Sequence, residues 1–184
     1  MKMEKIFYKL YTQNPGIFNI EYTETDKKKI KFILDLIKPK SIIDGGCGLS
    51  KILPTLIPED TQYYGIDIIS ELIDKQNQAT DRKDNCTYLT ADITQDKLPT
   101  ADVIFLSEVI QCLNKKTIQM LFYNIKKNDI KTIITTNNNN YTNFSESVNG
   151  FYRQVNLFTG PYAHKSELSI YLASSTYINL ITEW

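Results

Sequence analysis

Cysteine is scarce in this chain and histidine almost missing: Cys47, Cys86, Cys112 and the single His164 in 184 residues. The three thiols are scattered, with no C-x-x-C spacing. That excludes a disulfide framework and a zinc site, no metal is expected, and reduced thiols point to the cytoplasm. Cys47 and Cys112 read as small buried side chains. An excess of either charge is also missing. Lysine plus arginine number 21 and aspartate plus glutamate 21, so no global field draws the protein to nucleic acid or to an anionic membrane. The local clusters Lys27-Lys28-Lys29 and Lys126-Lys127 fall on amphipathic stretches and read as solvated faces. No run approaches the roughly 20 apolar residues of a membrane span. Met1-Lys2-Met3-Glu4-Lys5 lacks the apolar stretch of a signal peptide. At this length one domain, residues 1–184, is expected, large enough to bury a real core.

What is present concentrates in Ser41-Ile42-Ile43-Asp44-Gly45-Gly46-Cys47-Gly48-Leu49-Ser50. An apolar segment suited to a buried parallel strand runs into a glycine cluster, with an acid at its end. Gly45, Gly46 and Gly48 allow a tight turn whose backbone can sit against a ligand. Lys51-Ile52-Leu53 then open a short helix facing the same crevice. Strand, turn and helix predict a nucleotide-type pocket at the carboxyl end of a strand. The dinucleotide pattern G-x-G-x-x-G would need glycine where Lys51 stands. A carboxylate ahead of the glycines repels a pyrophosphate and suits a cationic ligand such as a sulfonium.

On these residues the chain resembles the class I S-adenosylmethionine-dependent methyltransferases, whose first motif is E/D-x-G-x-G-x-G. Asp44, Gly46 and Gly48 match it, and Ser50 replaces the last glycine. Further features follow in the family's order. Tyr63-Tyr64-Gly65-Ile66-Asp67-Ile68 reads as a second strand ending in an acid that can accept from both ribose hydroxyls. Tyr88-Leu89-Thr90-Ala91-Asp92-Ile93 reads as a third; the resemblance implies that Asp92 takes the adenine amino group and the backbone of Ile93 the ring. Ala101-Asp102-Val103-Ile104-Phe105-Leu106-Ser107-Glu108-Val109-Ile110-Gln111-Cys112-Leu113 resembles the family's fourth strand and following loop, with Cys112 where a histidine is frequent. The resemblance implies S-adenosyl-L-methionine as cofactor, held by Asp44, Gly45, Gly46, Gly48, Asp67, Ile68, Asp92, Ile93 and Ser107. The implied fold is α/β, a Rossmann-like doubly wound, mostly parallel seven-stranded sheet with a C-terminal antiparallel hairpin.

Periodicity agrees with an alternating α/β order. Thr25 can cap a helix through Ile37, with Ile30, Ile33, Leu34 and Ile37 on one stripe, ended by Pro39. Ser70 can cap a second helix toward Asn77. A third, from about Asn114 to Lys127, aligns Ile118, Leu121, Phe122 and Ile125. Lys131–Thr136 follows as the fifth strand. Leu168–Leu172 and Tyr177–Ile181 alternate around Ser174-Ser175-Thr176 as a closing hairpin. Between them, residues 137–165 have no helical period and exceed an idle connection. Phe151, Tyr152, Val155, Leu157, Phe158 and Tyr162 anchor this stretch as an ordered, substrate-side loop. The run Asn137–Asn140 suggests no role. Arg153-Gln154-Val155-Asn156-Leu157 with Pro161-Tyr162 is similar to a subgroup of small methyltransferases carrying R-x-x-N-L and a proline-aromatic pair. Residues 1–24, with Phe7-Tyr8, Tyr11 and Phe18-Asn19-Ile20-Glu21-Tyr22, suit a lid, or aromatics that only pack.

Candidate catalytic residues are Glu108, a general base or merely a helix cap; His164, a titrating group on the unusual loop or a structural one; and Arg153, a clamp for an anionic substrate group or a surface ion pair. The D/N/S-P-P-Y/F loop of DNA amino-methyltransferases is missing after the fourth strand, since Ser107-Glu108-Val109-Ile110 has no proline. The expected acceptor is therefore a small polar metabolite or a sugar or glycan precursor, methylated on oxygen or nitrogen. The alternatives are a macromolecular acceptor, RNA or protein, and a non-catalytic cofactor-binding regulatory module.

Overall fold

The computed structural model describes residues 2–14, 22–49, 51–143, 148–172 and 176–182. Ser50, residues 18–21 of the aromatic N-terminal segment and Ser174-Ser175 lie outside the described residues. In chain order the elements are α1 (Met3–Gln13), α2 (Glu24–Ile37), β1 (Ser41–Gly45), α3 (Ile52–Leu56), β2 (Gln62–Asp67), α4 (Ser70–Gln78), β3 (Cys86–Thr90), β4 (Val103–Leu106), a 3-10 turn (Ile110–Cys112), α5 (Lys115–Lys127), β5 (Thr132–Asn137), β6 (Leu168–Tyr171) and β7 (Tyr177–Ile181).

The strands form one sheet of order β3-β2-β1-β4-β5-β7-β6. β1 pairs in parallel with β2 and β4, and β3 and β5 extend the parallel set. β7 runs antiparallel to both neighbours, with Ile134 opposite Leu180 and Ile170 opposite Ile178. This is the doubly wound α/β sheet with a closing hairpin that the sequence predicts. Strand order reverses at β1, the place where such sheets open a ligand crevice.

Alternation along each strand feeds two cores. Ile43, Ile66, Ile104 and Ile133 pack with Ile118, Leu121, Phe122 and Ile125 of α5. Ile42, Tyr63, Phe105 and Ile134 pack on the other face with Ile30, Ile33 and Leu34 of α2. Both helical stripes are the predicted ones. The cap of α2 is not: Thr23, two residues before Thr25, accepts from the Asp26 N–H at 3.1 Å and donates to the Asp26 carboxylate at 2.6 Å. That reciprocal pair is available to Thr23 because an acid stands three residues on. Asn114 caps α5, accepting from the Thr117 N–H. Ser70 is the first residue of α4 and its side chain makes no cap, because the helix starts from Ile69, whose carbonyl already takes the N–H groups of Leu72 and Ile73. β3 stops at Thr90, so Asp92 and Ile93 lie in the turn beyond it.

Helix α1 lies within the segment offered as a lid and is seated on α4 by packing of Tyr11 against Ile69 and Leu72, with the Lys75 ammonium donating to the Tyr11 hydroxyl at 2.9 Å. The asparagine run, to which no role was assigned, frames the loop after β5. Asn137 accepts from Leu157 N–H, and Asn138 exchanges bonds with Val155. Asn156 donates to the carbonyls of Asn139 and Tyr141 and accepts from Phe158 N–H. Asn137, Asn138 and Asn156 are all buried, and an amide with two donors and an acceptor can satisfy several loop backbone groups at once. Asn156→Ala should lower the urea unfolding free energy by about 1–3 kcal/mol, because buried groups lose their partners. Exposed Asn140, with a 3.5 Å contact to Tyr177, should tolerate alanine within about 0.5 kcal/mol.

Candidate active site at the strand ends

β1 delivers its glycine turn to the carboxyl edge of the sheet, and β2 fixes it there. The carbonyl of Ile66 accepts from Gly46 N–H at 2.7 Å and from Cys47 N–H at 3.1 Å. The Asp67 carboxylate accepts from Gly48 N–H and Ile69 N–H, both at 2.9 Å, one on each oxygen. Gly46 turns with φ +74°, and a Cβ on it would lie 2.7 Å from Val109. Only glycine satisfies both the dihedral and the packing there.

Above this turn lies a cavity of about 380 Å³, lined by Met3, Phe7, Gly46, Gly48, Asp67, Ile68, Ile69, Ala91, Asp92, Ile93, Thr94, Ser107, Glu108, Val109, Cys112, Leu113, Gly150 and Tyr152. Of the residues the sequence singled out for the cofactor, Gly46, Gly48, Asp67, Ile68, Asp92, Ile93 and Ser107 are brought together here. Gly45 lies beneath the floor, against Leu106 and Ile93. Asp44 is turned to the other face of the sheet, where its carboxylate accepts from the Tyr63 hydroxyl at 2.9 Å. Burial above all, and Asp67 nearby, push the Asp44 carboxyl up to about 7 despite that bond.

Asp67 keeps one lone pair on each oxygen beyond its two inner bonds, which suits a pair of adjacent hydroxyls. Asp92 accepts from the N–H and hydroxyl of Thr94 on one oxygen and from Gln95 on the other. These bonds fix its carboxylate at the rim. Burial raises the Asp67 pKa. Ser107, at the end of β4, pairs its hydroxyl with that of Tyr22. Glu108 follows in the left-handed region at φ +55°, and its N–H donates to Thr136 at 2.7 Å. Its carboxylate accepts from the Tyr152 hydroxyl at 2.9 Å, and burial raises its pKa.

The other two catalytic candidates stand outside this lining. The Arg153 guanidinium donates to the Leu113 carbonyl at 3.2 Å and to the Tyr162 hydroxyl at 3.3 Å. His164 stacks on Phe122, ring centres 4.4 Å apart, and burial lowers its pKa. Cys112 is half-buried and faces the cavity, where burial and Glu108 push its thiol up to about 11. Sequence reasoning missed Met3, Gly150 and Thr94, while Phe7 belongs to the N-terminal segment that it offered as a lid. The signal for Gly150 was its glycine identity within an aromatic loop: a Cβ there would meet Leu10 and Ile6 of α1.

Fold and crevice thus define a doubly wound α/β protein whose strand-end cavity carries three carboxylates and no lysine, arginine or histidine among its lining residues. Such a lining suits a cationic nucleoside cofactor and disfavours a pyrophosphate. Residues 43–128 match the family model described as a methyltransferase domain. The fold matches human N-acetylserotonin methyltransferase in complex with SAM at a TM-score of 0.69 and 13% identity, over 100% of this chain and 60% of that one. It matches magnesium protoporphyrin IX methyltransferase from Synechocystis PCC 6803 with bound SAM at 0.68 and 11%, over 98% and 96%. It matches the methyltransferase domain of bacterial CtHen1-CN at 0.64 and 15%, over 86% and 97%. No curated protein matches by sequence. Residues 43–128 are thus similar to a methyltransferase domain, and the chain shares its fold with methyltransferases solved with bound SAM. No helix among the described residues is long and apolar enough to cross a membrane.

The buried carboxyls set a pH dependence of stability. Unfolded, Asp44 loses its proton near pH 4; folded, it holds it to about 7. Between those values the folded chain binds the extra proton, so stability falls as pH rises through the window. Asp67 and Glu108, raised as well, act in the same sense. Asp44→Asn keeps an oxygen for Tyr63 and removes the charge. Its urea midpoint should decline less than that of the unmodified protein over the same pH range.

Proposed function

We propose that the chain transfers the methyl group of S-adenosylmethionine to a hydroxyl or amine of a small polar acceptor, a metabolite or a sugar or glycan precursor. The observation that carries this reading is the acid-lined, cation-free cavity. Its carboxylates suit a sulfonium cofactor, and they oppose a phosphate-bearing acceptor or a polynucleotide at the same mouth. Bound there, the cofactor supplies an activated methyl group. Asp67 holds the ribose hydroxyls, Asp92 and the Ile93 backbone take the adenine edge, and the Gly46–Gly48 turn lets the remainder approach the backbone. Glu108, beside the end of β4, takes the acceptor's proton as the oxygen or nitrogen is methylated. Helix α1 is the lid: Met3 and Phe7 close the cavity, and Ile6 and Leu10 rest on Gly150 of the acceptor-side loop. The three free thiols support action in the cytoplasm.

Calorimetric titration with S-adenosylhomocysteine and, separately, with NAD tests the cofactor. The homocysteine compound should bind and NAD should not. Asp67→Ala should weaken binding by about tenfold or more, the cost of lost hydrogen bonds to a charged acceptor. Glu108→Gln should bind normally yet turn over about a hundredfold more slowly. Equal binding of NAD would sink the methyltransferase reading, and normal binding with no turnover of any acceptor would favour a regulatory module.

A further inference from the structure

Tyr152 has no role in the scheme above, yet it stands where the acceptor must enter. It lines the cavity, its hydroxyl donates to Glu108 at 2.9 Å, and it remains 58% exposed at the rim. Its backbone is held on both sides. Gly150 N–H donates to the Cys112 carbonyl at 2.8 Å and Arg153 N–H to the Gln111 carbonyl at 3.0 Å. The same turn rests on Ile6 and Leu10 of α1. A tyrosine that only filled a gap would bury its ring; this one bonds its hydroxyl inward and leaves much of the side chain to solvent.

We propose that Tyr152 is the acceptor-recognition residue of the methyltransferase and that the acceptor is a neutral sugar. The Tyr152 hydroxyl aims the Glu108 carboxylate at the acceptor O–H, and the exposed ring takes the sugar's C–H face. This rests on the methyltransferase reading. The chemistry follows from the pair. A carboxylate accepts hydrogen bonds and offers none, so it suits a donor such as a hydroxyl. A single exposed aromatic ring gives one apolar wall while the far side of the ligand stays wet. A pyranose, with C–H groups on its faces and hydroxyls at its edge, fits both demands. A phenol would leave one whole apolar face in water, and a phosphorylated acceptor would meet carboxylates without a cation. In the transfer the acceptor O–H bond breaks as its proton passes to Glu108. The oxygen lone pair forms the new C–O bond while the S–CH3 bond breaks with its electrons to sulfur, leaving a neutral thioether.

The test uses the full chain, S-adenosylmethionine with a 13C methyl, and four acceptor sets: methyl glycosides of hexoses, catechols, a mixed peptide and an oligoribonucleotide. Methylation of a glycoside is expected. Tyr152→Ala should raise its KM about tenfold, the scale of one lost stacking wall. Tyr152→Phe should keep KM, lower kcat, and move the acidic limb of the kcat profile upward. The removed bond is one that lowers the Glu108 pKa. The titratable groups around Glu108 are Tyr152, Cys112 and, through Ser107, Tyr22. A second reading needs no acceptor. The Glu108 side-chain carboxyl, identified by its loss in Glu108→Gln, should titrate higher in Tyr152→Phe when followed by 13C NMR. Methylation of catechols, peptide or RNA in place of glycosides, methylation of none, an unchanged KM in Tyr152→Ala, or an unmoved Glu108 titration would each overturn the proposal. A chain that binds no S-adenosylhomocysteine fails the methyltransferase reading instead, so the two failures are separable.

Discussion

The site depends on one carboxylate. Asp67 ends β2 and gathers the N–H of Gly48 from the β1 turn and the N–H of Ile69 from the start of α4. Buried Gln76 of α4 completes the ring by donating to the Gly48 carbonyl at 3.2 Å. Without these bonds the glycine turn would carry unpaired buried donors, which a folded chain rarely tolerates. The same acid that locks the turn presents its remaining lone pairs to the cavity. The glycine turn and the cavity wall are therefore not separable at Asp67.

Most of the frame was legible because it is local. Ile42-Ile43 ahead of three glycines, acids closing the second and third apolar runs, and the stripes Ile30-Ile33-Leu34 and Ile118-Leu121-Phe122-Ile125 each encode an element within a few residues. The residues that line the cavity at the strand ends were legible with them, since periodicity locates those ends. Errors arose where a choice depends on geometry rather than type. Thr23 and Thr25 are equally good caps as residues, and the position of Asp26 decides between them. Asp44 is acidic and next to the glycines, but strand alternation turns it to the opposite face, toward Tyr63. Alternation was enough to deduce that placement.

The loop and α1 side of the cavity was less legible because its order comes from contacts distant in sequence. α1 has no strong cap and an apolar face whose partners, Gly150 and α4, lie far along the chain. The run Asn137–Asn140 looks like a polar expansion. Its meaning appears only when Asn137 and Asn138 reach Leu157 and Val155, across a loop with no repeating backbone pattern of its own. A loop without secondary structure must still pair its buried amides and carbonyls. Here short amide side chains do what a helix or sheet would otherwise do. Gly150 and Tyr152 are placed by the bonds of Gly150 N–H and Arg153 N–H to the Cys112 and Gln111 carbonyls, contacts that type and spacing do not reveal.

Glu108 shows how the two sides meet. It adopts a positive φ that side-chain-bearing residues avoid at a cost of about 1 kcal/mol, and its N–H is held by Thr136 of β5 while its carboxylate is held by Tyr152 of the loop. The strained turn lets the chain leave β4 and expose the carboxylate to the cavity before the 3-10 turn begins. Burial keeps that carboxyl partly reluctant to ionise. A cation entering the same cavity favours the ionised form of each carboxylate it faces. A sulfonium there would therefore shift Glu108 toward the form that accepts a proton. A neutral nucleotide would leave it as burial sets it, and an anionic one would favour its protonated form further. In the proposed reaction, cofactor charge and the readiness of Glu108 as a base would be linked through the electrostatics of one lining, with no moving part required.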